Sequence, residues 1–191
     1  MTKTVIVTVP HATGSRADGP RRSDVAALHA AEAVIRELDA YRDIEPLLLT
    51  GDVARRTCDL NRAEPCDSPE RFKEEYRRAL AQQPAMVIDM HSFPASHTWG
   101  ARVPPAVALL HVVENRDVSE RAARVLARVA NVHVVAGSQA NYVITEASRA
   151  QVPSVLVEIN EGLADVTPIA AALAAFVATE VEAARYTWPS K

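Results

Sequence analysis

Imidazole and carboxylate side chains stand at strand ends far apart in this sequence. His11 follows the run Lys3 to Val9, His91 follows Met86 to Met90, and Glu158 lies near the end of Ser154 to Ile159. Zinc prefers histidine nitrogen and carboxylate oxygen, and a catalytic zinc site keeps three protein ligands with water in the fourth position. His11 and His91 supply two ligands. Asp24 is the expected third, because the long loop after His11 can fold back and bring the first turn of the next helix to the strand end. Asp18, in the same loop, is the competitor that spacing alone leaves open. One strand-end histidine reads as a hydrogen-bonded structural residue; three coincident positions favour a site.

Two further carboxylates support that expectation. Glu158 interrupts an otherwise apolar run, Val155-Leu156-Val157 and Ile159, and a buried unpaired carboxylate needs a cation or hydrogen bonds. Strand alternation puts Asp89 on the same side as His91, which suits a carboxylate that orients a histidine ligand.

The tetrad Asp59-Leu60-Asn61-Arg62 lies in a polar stretch, with Arg55 and Arg56 just upstream. A guanidinium matches a carboxylate through two parallel hydrogen bonds, and a neighbouring amide can add a third. Asn61 and Arg62 are therefore expected to hold a substrate carboxylate. The competing reading is a solvated charged loop.

Short β-branched runs alternate with amphipathic helical patterns along the chain. Strands are expected at Lys3 to Val9, Ile44 to Leu49, Met86 to Met90, Ala106 to Val113, Val132 to Val135 and Ser154 to Ile159. Helices are expected at Asp24 to Asp39, Ser68 to Gln82, Val118 to Ala130, Asn141 to Ala150 and Pro168 to Ala184. This alternation predicts a three-layer α/β fold, a mostly parallel or mixed sheet with helices on both faces. Ligands of such sheets bind beyond the carboxyl ends of the strands, where His11 and His91 fall.

With 191 residues, 48% of them hydrophobic, the chain suits one domain spanning 1–191. A formal net charge of -3 offers no broad basic surface, so neither nucleic acid nor an anionic membrane is expected as a partner. No segment reads as a secretion signal or a membrane span. Cys58 and Cys66 lack a CxxC pairing and read as reduced cysteines, in keeping with a cytoplasmic protein.

Taken in order, Val9-Pro10-His11-Ala12, Asp59-Leu60-Asn61-Arg62, Asp89-Met90-His91-Ser92-Phe93 and Val157-Glu158-Ile159-Asn160 resemble motifs of the N-formylglutamate amidohydrolase-like proteins. These are relatives of the zinc carboxypeptidases and of the aspartoacylase and succinylglutamate desuccinylase group. The resemblance implies a phosphorylase/hydrolase-like, zinc-carboxypeptidase-like fold, with His11 and His91 as zinc histidines and Glu158 as the catalytic glutamate. It also implies that Asn61 and Arg62 grip a substrate carboxylate and that Arg55 or Arg56 polarises the scissile carbonyl. Tyr142 would approach the substrate as a tyrosine does in carboxypeptidases, with a half-buried packing role as the competing reading. The pattern departs at the second ligand: carboxypeptidases place a glutamate three residues after the first histidine, and this chain has Gly14 there.

The expected activity is zinc-dependent hydrolysis of the amide bond of an N-acyl amino acid, N-formylglutamate-like, a small-molecule substrate carrying a carboxylate. A metallocarboxypeptidase acting on short peptides shares the chemistry. Outside this class stand a metal-independent phosphohydrolase, with His11 as nucleophile and Arg16, Arg21, Arg22 and Arg62 on phosphate, and a non-catalytic carboxylate-binding module. Ser92 reads as a turn residue, His97 and Trp99 as loop residues bordering the pocket, and His29, His111 and His133 as structural.

Overall fold

A computed structural model describes residues 2–13, 24–55, 57–64, 71–112, 115–137 and 141–187. The expected helix start at Ser68, together with Asp18 and Arg56, lies outside them. In chain order the elements are β1 (Lys3–Val9), α1 (Val25–Leu38), β2 (Ile44–Thr50), α2 (Arg71–Leu80), β3 (Met86–Phe93), β4 (Val107–His111), α3 (Arg116–Leu126), β5 (Val132–Ala136), α4 (Tyr142–Arg149), β6 (Ser154–Asn160) and α5 (Thr167–Thr187).

The strands form a six-stranded sheet in the order β2-β1-β3-β6-β4-β5. All neighbours pair in parallel except β4, which runs antiparallel to β6. The period-two alternation of strand side chains divides the core. Val5, Val7, Val9, Met86, Ile88, Met90, Val155, Val157 and Ile159 face α1, α3 and α5 in one apolar cluster. Ile6 and Val87 face the opposite way, toward Phe72 and Tyr76 of α2 and Val143 of α4. The fold class is therefore as the sequence predicts, a mixed α/β sheet with helices on both faces.

Thr8, Asp89, His91 and Glu158 share the α2/α4 side with Ile6 and Val87, by the same alternation. The strand that carries His91 extends to Phe93, so His91 lies within β3, in register with Glu158 of β6.

One expectation is corrected. Cys58 is disulfide-bonded, and among the described residues no cysteine is free; Cys66 lies outside them. Disulfides belong with oxidising compartments, so the cysteines no longer support a cytoplasmic setting. By length and composition alone α5 is apolar enough to cross a bilayer, with a mean hydropathy of 1.3 over Thr167–Ala184. Its apolar stripe, including Leu173, Phe176 and Val177, is buried in the core cluster with α1, as suits the core helix of a sheet protein.

Candidate metal centre and cleft

The turn after β1 is set by close backbone contacts. The Gly51 amide donates to the Val9 carbonyl at 2.9 Å, and a Cβ on Gly51 would stand 1.8 Å from the Pro10 carbonyl oxygen. Glycine is required at this approach. The Thr13 hydroxyl donates to the Gly51 carbonyl at 2.6 Å, and the Asp24 amide donates to the His11 carbonyl at 2.8 Å. The start of α1 is thereby tied to the end of β1, the folding-back that the sequence led us to expect.

Asp24 occupies the N-cap of α1, a position at which a carboxylate usually accepts from the helix amides. Its side chain makes no such cap bond. Instead, Asp24 Oδ2 lies 3.2 Å from His11 Nδ1 and 2.9 Å from His91 Nδ1. The carboxylate is 3% exposed. Burial pushes its pKa up, but hydrogen bonds and charge from His11 and His91 outweigh that and hold it well below the usual carboxylate range.

The far side of each imidazole meets a second carboxylate. His11 Nε2 lies 2.8 Å from Asp59 Oδ1, and His91 Nε2 lies 3.0 Å from Asp89 Oδ2. Asp89 is in turn held by the Thr8 hydroxyl at 2.7 Å and the Asn141 amide at 3.1 Å. Burial opposes ionisation of Asp89, yet His91, Thr8 and Asn141 keep its pKa low. Burial likewise opposes charge on His91, and Asp89 and Asp24 together raise its pKa well above the ordinary imidazole value.

This arrangement suits a metal ion. Each Nε2–H that donates to a carboxylate leaves, in a neutral imidazole, a lone pair on Nδ1. Both Nδ1 lone pairs then face the anionic Asp24 oxygen, and only a cation or added protons relieve that convergence. Donor atoms of His11, Asp24 and His91 all lie within 4.8 Å of one another, three buried ligands of the types zinc accepts.

A cleft of about 150 Å³ opens over this cluster, with Asp24, His91, Arg55, Asn61, Arg62 and Glu158 in its walls. Burial pushes the Glu158 carboxyl up to about 7; Asp24 and Asp89 add to the rise, and His91 and Arg55 oppose it. Arg55 and Arg62 both reach Asp59, with Nε at 3.6 Å and 3.5 Å from Oδ2. Burial would raise the Asp59 pKa, but His11, Arg55 and the Asn61 amide hold it well below the usual range.

Two expected substrate contacts take other places. The Asn61 amide nitrogen is 2.9 Å from His91 Nε2, while its oxygen accepts from the Val143 amide at 3.3 Å. With His91 Nε2–H turned to Asp89, the Asn61 amide donates to Asp89 Oδ2 at 3.5 Å, so Asn61 borders the cleft and ties the Asp89 carboxylate to α4. Tyr142 is a correction: it is absent from the cleft walls, because its ring packs beside Tyr76 and its hydroxyl accepts from Arg77 at 2.9 Å. Its neighbour Asn141 lines the cleft instead, as do Ser92 and His111, which their sequence positions had suggested were structural. Asp59 carried a signal, in a tetrad beside arginines, but nothing local marked it as the partner of His11.

No protein-family model matches the sequence, and comparison with curated proteins finds no match. Solved structures do share the fold. N-formylglutamate amidohydrolase from Ralstonia eutropha superposes with a TM-score of 0.64 at 13% identity, over 98% of this chain and 96% of that one. The N-acetylmuramoyl-L-alanine amidase AmiC2 of Nostoc punctiforme gives 0.61 at 12%, over 94% and 97%. A metallo-carboxypeptidase from Pseudomonas aeruginosa gives 0.56 at 12%, over 94% of this chain and 58% of that enzyme. The chain therefore has the fold shared by these amidohydrolase and carboxypeptidase structures.

Proposed function

We propose that residues 1–191 form one zinc-dependent amidohydrolase domain that cleaves the amide bond of an N-acyl amino acid with a free carboxylate, N-formylglutamate-like in its amino-acid half. The observation that carries this reading is the convergence of His11 Nδ1, His91 Nδ1 and Asp24 Oδ2, beside Glu158 in one cleft. Fold likeness to amidases and carboxypeptidases supports it.

His11, Asp24 and His91 would hold the ion, with Asp59 and Asp89 fixing the imidazoles. Zinc bound there would supply Lewis acidity, lowering the pKa of water toward about 7 and polarising the acyl carbonyl. Glu158 accepts a proton from the attacking water and returns it to the departing amine. Arg55 faces the oxyanion that develops at the acyl carbon. Arg62 takes the substrate carboxylate, fixing the scissile bond in the cleft. Arg56, the alternative to Arg55 for polarising the carbonyl, lies outside the described residues. The substrate is a small molecule; neither nucleic acid nor membrane enters the proposal.

Removal of a terminal residue from a short peptide uses the same groups, and the small cleft favours the N-acyl amino acid. In the phosphohydrolase reading His11 attacks phosphorus, yet both its ring nitrogens are engaged by carboxylates, which repel an anionic substrate.

The deciding experiment is metal analysis of protein purified without chelator, alongside turnover of N-acyl glutamates. About one zinc per chain is expected, as for a mononuclear catalytic site, lost in His91→Ala and retained in an inactive Glu158→Gln. A folded protein that takes up no divalent metal overturns the proposal.

A further inference from the structure

Resting on the amidohydrolase reading, we infer that the acyl half of the substrate is an apolar chain longer than formyl, seated between Leu110, Val112, Ile144 and Leu156. These four line the same cleft as Arg55 and Arg62. Val112, Ile144 and Leu156 form a small apolar cluster apart from the two main cores, with Leu110 packed against it.

Strand order explains why the cleft has two chemically different ends. Reading across the sheet from β2, the arginine-bearing loop follows the first strand, His11 follows the next and His91 sits on the third. Glu158 and Leu156 come from β6, two residues apart and so on one side. Leu110 of β4 pairs in register with Leu156, which places it on that side too. A substrate with its carboxylate on Arg62 and its carbonyl by the His11, Asp24 and His91 cluster therefore directs its acyl group past Glu158 onto these apolar side chains.

The side chains of Leu110, Val112, Ile144 and Leu156 bring only hydrocarbon to the cleft. His111 stands beside them with Nδ1 turned to the Val112 carbonyl at 3.3 Å. Gly137 also lines the cleft, where a Cβ would meet the His111 carbonyl oxygen at 3.3 Å and Leu110 Cβ at 3.4 Å. Each methylene removed from water against these side chains improves binding about three- to fourfold.

The test is a series of N-acyl-L-glutamates, from formyl through acetyl and butanoyl to hexanoyl, assayed with the zinc-loaded protein. kcat/KM is expected to climb about three- to fourfold per methylene, with the rise flattened in Leu110→Asp and restored in Leu110→Met. Best turnover of the formyl compound, or a slope unchanged in Leu110→Asp, overturns the acyl assignment and leaves the amidohydrolase standing. Hydrolysis of none of them by zinc-loaded protein overturns both.

Discussion

Asp59 Oδ1 lies 2.8 Å from His11 Nε2 across a sequence separation of 48 residues. The other oxygen of the same carboxylate faces Arg55 and Arg62. One side chain thus links the candidate metal cluster to the cations that would bind substrate.

Asp59→Asn keeps the shape and removes the charge that fixes the His11 tautomer. Zinc affinity, measured by chelator competition, is expected to fall ten- to a hundredfold, as for other carboxylates behind metal-bound histidines. Unchanged affinity would remove Asp59 from the metal centre.

Arg62→Ala is expected to raise KM for free-carboxylate substrates by ten- to a hundredfold, the value of a charge-assisted hydrogen bond. kcat should change little, and a substrate with its carboxylate amidated should show no difference between the two proteins. Equal KM values would place the substrate carboxylate elsewhere.

Glu158 is raised from 4.5 to about 7 in the metal-free protein. A carboxyl with a raised folded-state pKa favours the fold while protonated, so its contribution is present below pH 4.5 and is lost as pH rises through about 7. Glu158→Gln should therefore raise the Tm of metal-free protein at pH 8 relative to wild type, by more than at pH 4. A difference independent of pH would contradict the burial argument. In turnover, the acid limb of the kcat/KM profile should reflect loss of the ionised base as pH falls.

Gly51→Ala drives a methyl group into the Pro10 carbonyl. A destabilisation of about 3 kcal/mol or more in denaturant unfolding is expected from such overpacking. Wild-type stability would mean that the turn holding His11 yields easily.

Much of the site was legible because strand periodicity carries it. Asp89 and His91 fall on one side of β3 by simple alternation, and an acidic residue in the apolar run of β6 announced Glu158. Asp24 followed from loop length and the start of α1. The direction of β4 was not readable, since an apolar run has the same pattern whichever way it pairs. Asp59 and Asn61 sit in a loop whose conformation no periodicity encodes, and the same holds for Cys58, whose disulfide the spacing did not suggest. Tyr142 was misplaced because a helix start leaves adjacent residues pointing to different neighbours, and Asn141 took the cleft.

The amide–carbonyl bond from Asp24 to His11 has a consequence for how such a protein can diverge. It staples the two ends of the intervening segment together, so insertions or deletions between them need not move either candidate ligand. The spacing of His11 and Asp24 is thereby set by one backbone hydrogen bond and not by the length of chain between them.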